Sequence, residues 1–109
     1  MKLGIIIYSD DAETVWNAFR FANFTLAMGD EVRVFLIGKG VECAWWGSLD
    51  TKDFNVTQQI ESFLDASSQI FACGTCLQLH QLKAPQLFTE ATLKDIYEIV
   101  KESDRLVTF

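Results

Sequence analysis

Two cysteines with two residues between them, Cys73-Gly-Thr-Cys76, are the residues of this chain best suited to covalent chemistry. A Cys-x-x-Cys pair can serve as a redox dithiol, as half of a metal site, or as a nucleophile with a helper. The pair follows an apolar run, Gln69-Ile-Phe-Ala72, that reads as a strand. It precedes Leu77-Gln-Leu-His-Gln-Leu82, which can start a helix. Two thiols between a strand's carboxyl end and a helix start lie where α/β proteins usually put their chemistry. Helix amides there favour thiolate over thiol. Cys73, nearer the strand end, is the first candidate nucleophile. Cys76, in the first helical turn, is the candidate resolving thiol, and the two roles can be reversed.

Cys43 follows the second predicted strand. In a parallel sheet the carboxyl ends of the strands share one edge, so Cys43 can approach the pair as a third redox thiol, or it can be an ordinary small buried residue. His80 lies four residues after Cys76, one helical turn along. It is a candidate base or thiolate partner, or simply a partly exposed helical histidine. Cys43, Cys73, Cys76 and His80 together would make a Cys3His zinc set. Ser9, Asp10 and Asp11 end the first strand on the same edge, where they can bind a ligand or, more simply, cap a helix. Gly38-Lys-Gly40 resembles a turn and lacks the phosphate-loop and dinucleotide patterns, so no cofactor is expected.

The elements that must position these groups can be read from periodicity. Leu3 to Tyr8 is nearly continuously apolar, the mark of a strand covered on both faces. Ala12, Val15, Trp16, Phe19, Ala22, Leu26 and Ala27 follow at helical spacing, with Gly29 as the stop. Glu31 to Ile37 is a second strand, followed by a loop to about Asp53. Asn55 with Gln58 has the shape of a capping box, and Ile60, Phe63 and Leu64 give that helix an inward stripe. Lys83 to Phe88, with Pro85, reads as a loop containing an extended piece. Thr92 with Asp95 suggests a second capping box before a helix facing inward through Leu93, Ile96, Ile99 and Val100. Arg105 to Phe109 closes as a strand. This alternation predicts a three-layer α/β/α sandwich around a mainly parallel sheet of four to five strands, with residues 1–109 as a single domain.

Composition bounds the partners. The net charge of −6, with no Lys/Arg cluster, argues against nucleic acid. No apolar run approaches the length of a membrane span. The start of the chain reads as a strand rather than a signal peptide, so a cytoplasmic location is expected, where thiols are mostly reduced. Three cysteines cannot all pair within one chain. Trp16, Trp45, Trp46 and nine Phe are many large aromatics for 109 residues, and some are expected to be buried between subunits of a homo-oligomer.

The order of these pieces resembles the DsrE/DsrF-like family of small α/β proteins, many of them linked to sulfur relay. The matching segments are Leu3–Tyr8 with polar residues behind it, Val34 to Glu42, Cys73-Gly-Thr-Cys76-Leu77, Thr92 to Val100, and Asp104 to Phe109. The resemblance covers nearly the whole chain. It implies a trimer or hexamer, and sulfur carried as a persulfide on a cysteine just after the third strand, for which Cys73 is the nearest match and Cys76 the competing one. Relay subunits often carry Arg-Arg-Gly or Arg-Gly shortly after this cysteine; here His80-Gln81-Leu82 stands there. The expected activity is therefore reversible sulfur carriage between donor and acceptor proteins. The rivals are a dithiol redox protein and a structural or regulatory oligomer with the Cys3His site. The redox rival lacks the Trp-Cys that usually opens a thioredoxin-type motif, and Pro85 follows Cys76 too closely to be that fold's partner proline.

Overall fold

The computed structural model describes residues 1–66 and 68–109, with the side chain of Trp46 outside the described set. Strands β1 (Lys2–Ile7), β2 (Glu31–Leu36), β3 (Gln69–Cys73), β4 (Thr89–Ala91) and β5 (Arg105–Thr108) form one sheet in the order β4-β3-β2-β1-β5. Every pairing is parallel. Helices α1 (Ala12–Ala27), α2 (Val56–Asp65), α3 (Gly74–Leu79) and α4 (Leu93–Glu102) make the connections. The chain moves strand by strand from β1 to β4, then crosses back through α4 to β5 beside β1. Right-handed crossovers place α4 on the face opposite α1 and α2.

The register sorts the side chains between the two faces. Ile5 pairs with Val34 and Val34 with Ile70, all fully buried. This row faces α1 and α2, which bring in Val15, Phe19, Ala22, Ile60 and Phe63. The Phe19 and Phe63 rings meet edge-on, with centroids 5.8 Å apart. On the other face, Gly4 lets α4 lie close: a Cβ there would come within 3.0 Å of Ile99 and nearer still to Ser103 and Leu106. Arg33, on the same face, pairs with Glu102 of α4 at 3.4 Å. Each of these strand side chains alternates with its neighbours because successive Cβ atoms point to opposite sides of the pleat.

Local chemistry sets the helix ends. Asp11 caps α1, accepting the Thr14 amide at 3.0 Å, and Gly29 adopts φ +91° just past its end. Asn55 accepts the Gln58 amide at 3.0 Å at the start of α2. The predicted box at α4 is complete, with Thr92 and Asp95 bonding reciprocally. Among the described residues no helix is long and apolar enough to cross a membrane.

Four expectations are corrected. The segment after β2 is not an open loop: Gly38–Leu49 winds into 3₁₀ turns, a conformation whose short repeat leaves no long amphipathic signal. Helix α3 starts at Gly74 rather than Leu77 and stops at Leu79, because Gln81 takes φ +58°. The extended piece near Pro85 falls later, at Thr89–Ala91. Leu93 and Val100 do not face inward: they are exposed, and Ile99 is the buried residue of α4. As for the tryptophans, Trp16 is half-buried against Phe54 with Arg20 over its ring, Trp45 is exposed, and the side chain of Trp46 lies outside the described set.

Candidate functional site

The carboxyl ends of β2 and β3 lie side by side, with Leu36 paired to Ala72. Cys73 is both the last residue of β3 and the N-cap of α3. Its Sγ accepts the backbone N–H of Cys76 at 3.4 Å. The Sγ of Cys76 in turn accepts the backbone N–H of Gly38 at 3.3 Å. Each sulfur is thus held by a main-chain donor. The Gly38 donor comes from the first residue of the 3₁₀ segment, where φ is +57°. Two residues on, Gly40 packs so closely on the carbonyl of Ile7 that no side chain fits. The Gly38-Lys-Gly40 turn is therefore what brings an amide to Cys76, a role that its glycines hint at but spacing alone does not reveal.

The three thiols sit in different surroundings. Cys73 is only 7% exposed, whereas Cys76 is half-buried. Burial pushes the Cys76 thiol up, the adjoining Cys73 sulfur pushes it further, and the Gly38 amide opposes both. Cys76 therefore tends to keep its proton. Cys43 lies in the 3₁₀ segment, wholly buried in the core. Burial pushes its thiol up to about 12, and the carboxylates of Asp10 and Glu42 act in the same direction.

His80 caps the end of α3, its backbone N–H donating to the carbonyl of Cys76 at 2.9 Å. Its ring Nδ1 lies 2.8 Å from Oε1 of Glu42. The imidazole thus ties the end of α3 to the 3₁₀ segment. The Cys3His zinc set is not assembled: among the described residues, no three His, Cys, Asp or Glu side chains converge as a metal-binding group. The physical reason is that the 3₁₀ turns direct Cys43 into the core while Glu42 takes His80. Asp11 is engaged as a cap, and its bonds from Thr14 hold its carboxyl below the usual value.

The cysteine pair opens into a cavity of about 710 Å³ at the carboxyl edge of β3 and β4, bordered by Ile37, Gln78, Glu90 and Leu93 as well as both cysteines. Glu90 was not a candidate from sequence. Nothing in its neighbourhood marks it, and only the β3–β4 pairing brings it beside the site.

Comparison with known proteins gives consistent results. The model of the DsrE/DsrF-like family matches residues 1–109. The chain is 32% identical to the uncharacterized protein MJ0989 of Methanocaldococcus jannaschii over 114 aligned positions, covering 100% of both chains. It is 31% identical to the uncharacterized protein MK0008 of Methanopyrus kandleri, covering 89% of this chain and 83% of that one. Among solved structures, the ychN protein from E. coli superposes with a TM-score of 0.84 at 20% identity, covering 100% of each chain. MTH1491 from Methanobacterium thermoautotrophicum, a protein of unknown function, superposes at 0.76 with 12% identity, covering 99% of this chain and 98% of that one. At those identities the structural likenesses speak for the fold.

Proposed function

This chain belongs to the DsrE/DsrF-like family, which links it to sulfur relay at the level of the family, and we propose that it carries sulfane sulfur as a persulfide on Cys73 with Cys76 as the resolving thiol. The observation that carries this reading is the sulfur arrangement: Cys73 Sγ on the Cys76 amide, Cys76 Sγ on the Gly38 amide, both at the wall of an open cavity. In the loading step the Cys73 thiolate attacks the outer sulfur of a donor hydropersulfide, R–S–SH. The donor's S–S bond breaks, R–S⁻ leaves, and Cys73 holds S–SH with no net oxidation. An acceptor thiolate attacking that outer sulfur reverses the chemistry and restores Cys73. With no acceptor present, Cys76 attacks the inner sulfur, releasing hydrogen sulfide and leaving a Cys73–Cys76 disulfide.

A thiol that tends to keep its proton suits the resolving role, because it does not compete for the incoming sulfur. Cys43, wholly buried, takes no part in this reading, and the His80 ring is paired with Glu42. The proposal places the protein in the cytoplasm as a homotrimer or homohexamer. Leu93, Tyr97 and Val100, exposed along one stripe of α4, support the oligomer. The contact between the two thiols equally favours a dithiol redox role, which a reduction potential near that of the cellular thiol pool would support.

Intact mass spectrometry after exposure to a persulfide donor is the test. Wild type is expected to gain about 32 Da, removable by reductant. Cys73→Ser is expected to lose this gain, and Cys76→Ser to retain it for longer. Loading that survives Cys73→Ser but vanishes in Cys76→Ser would transfer the carrier role to Cys76.

A further inference from the structure

We propose that Glu90 sets the charge of the sulfur donor: the cavity admits a hydropersulfide flanked by positive charge and disfavours anionic donors of the thiosulfate type. The proposal rests on the reading of Cys73 and Cys76 as the sulfur-carrying pair. Ala72 pairs with Glu90 and Cys73 with Ala91, so β4 brings a carboxylate alongside the end of the cysteine strand.

Gly74 lets that carboxylate come close. A Cβ at Gly74 would stand 3.1 Å from Oε1 of Glu90 and 3.3 Å from its Cγ, so the missing side chain leaves the space beside the Glu90 carboxylate open. Gly74 directly follows Cys73, and Glu90 lines the same cavity as both sulfurs. A second carboxylate lies nearby: Asp95 accepts the Thr92 amide at 2.7 Å and its hydroxyl at 3.1 Å, and Thr92 also borders the cavity. Among the described residues no Lys, Arg or His lines it. Lys94, next to Asp95, lies 4.0 Å from Glu98 and is directed along its own helix. Field lines in an apolar-walled cavity lined by one sign of charge favour ligands of the opposite sign.

The chemistry of transfer makes this field consequential. Attack by Cys73 on a thiosulfate-type donor brings a dianion to the cavity and releases another anion, sulfite, within it. Attack on a persulfide bearing an ammonium group brings positive charge toward Glu90 and releases a thiolate that its own ammonium partly neutralises. Glu90 is exposed, so solvent limits the effect, and a preference of about fivefold at low salt, weakening as salt is raised, is the expected size.

The test uses the full-length protein and two reagents that modify thiols without any sulfur carriage: 2-aminoethyl and 2-sulfonatoethyl methanethiosulfonate. Rates at Cys73 and Cys76, normalised to those of free 2-mercaptoethanol, are expected to favour the cationic reagent about fivefold in wild type, to converge in Glu90→Gln, and to invert in Glu90→Lys. Equal normalised rates in wild type, or an unchanged preference in Glu90→Gln, overturn the proposal. The same variants are then loaded from cysteamine persulfide, from 3-mercaptopropionate persulfide and from thiosulfate, reading the gain of about 32 Da. Loading from the cationic donor first, with the order lost in Glu90→Gln, supports it. Loading that is indifferent to donor charge overturns the Glu90 proposal and leaves sulfur carriage standing. No loading from any donor, with the charge preference of the two reagents intact, overturns sulfur carriage and leaves the field of Glu90 in place.

Discussion

The three cysteines of this chain are chemically alike and differ only in what surrounds them. Cys73 and Cys76 each receive a main-chain N–H at a cavity wall, whereas Cys43 is sealed in the core. Folding changes the ionisation of Cys43. Its thiol goes from an ordinary value of 9.0 to about 12 on folding. Below pH 9 both states keep the proton and burial is unopposed. Above pH 9 the unfolded chain ionises while the folded one does not, so stability is lost as pH rises toward 12. The expected loss is on the order of 1 kcal/mol per pH unit above 9. Urea unfolding of wild type and Cys43→Ala between pH 8 and 11 checks this: wild type should lose stability more steeply, and parallel curves would refute the buried-thiol account. From sequence, Cys43 reads as an ordinary buried residue or as a third thiol of the reactive pair, because position along the chain carries no information about which way a 3₁₀ turn faces.

At the scale of elements, the 3₁₀ segment Gly38–Leu49 governs the site although it contributes no reacting atom to the proposed chemistry. Its first residue supplies the amide to Cys76, and its Glu42 holds His80 at the end of α3. Gly40 anchors the turn against Ile7, where any side chain would collide with backbone that cannot give way. Gly40→Ala is therefore expected to cost roughly 2–4 kcal/mol. It should also take the Gly38 amide away from Cys76, leaving that thiol more firmly protonated and lowering its alkylation rate in the fraction that remains folded. Chemical denaturation with parallel alkylation kinetics measures both, and wild-type stability in Gly40→Ala would show that the turn is not anchored there. The helices were easier to read than this segment. Asp11, Asn55 and Thr92 announce α1, α2 and α4 through side-chain caps that act within three residues, and a 3₁₀ run has no comparable signal.

For the whole molecule, the sheet order puts α1 and α2 on one face and leaves α4 on the other with an apolar outer stripe. Leu93, Tyr97 and Val100 are 72%, 62% and 46% exposed, a poor arrangement for an isolated monomer. The spacing of Leu93, Ile96, Ile99 and Val100 predicts a face turned inward, yet ten residues of α4 can turn only one edge to the sheet, and Ile99, with Ile96 partly buried beside it, occupies that edge. Native mass spectrometry is expected to show a homotrimer or homohexamer, with Tyr97→Glu shifting the distribution toward monomer. A wild-type monomer at micromolar concentration would contradict the oligomeric part of the proposed function.

What the amino-acid sequence determined by itself is what acts over short range. Apolar runs made β1 to β3 recognisable, capping side chains placed three helix starts, and Cys73-Gly-Thr-Cys76 marked the strand-to-helix junction. Only the tertiary structure decided which distant groups meet. Gly38 reaches Cys76 across 38 residues, Glu42 reaches His80 across the same separation, and β4 sets Glu90 beside Gly74. The division has a physical cause: propensities and caps depend on neighbours within a turn or two, whereas these contacts depend on strand register and on which face each packed segment turns to the core.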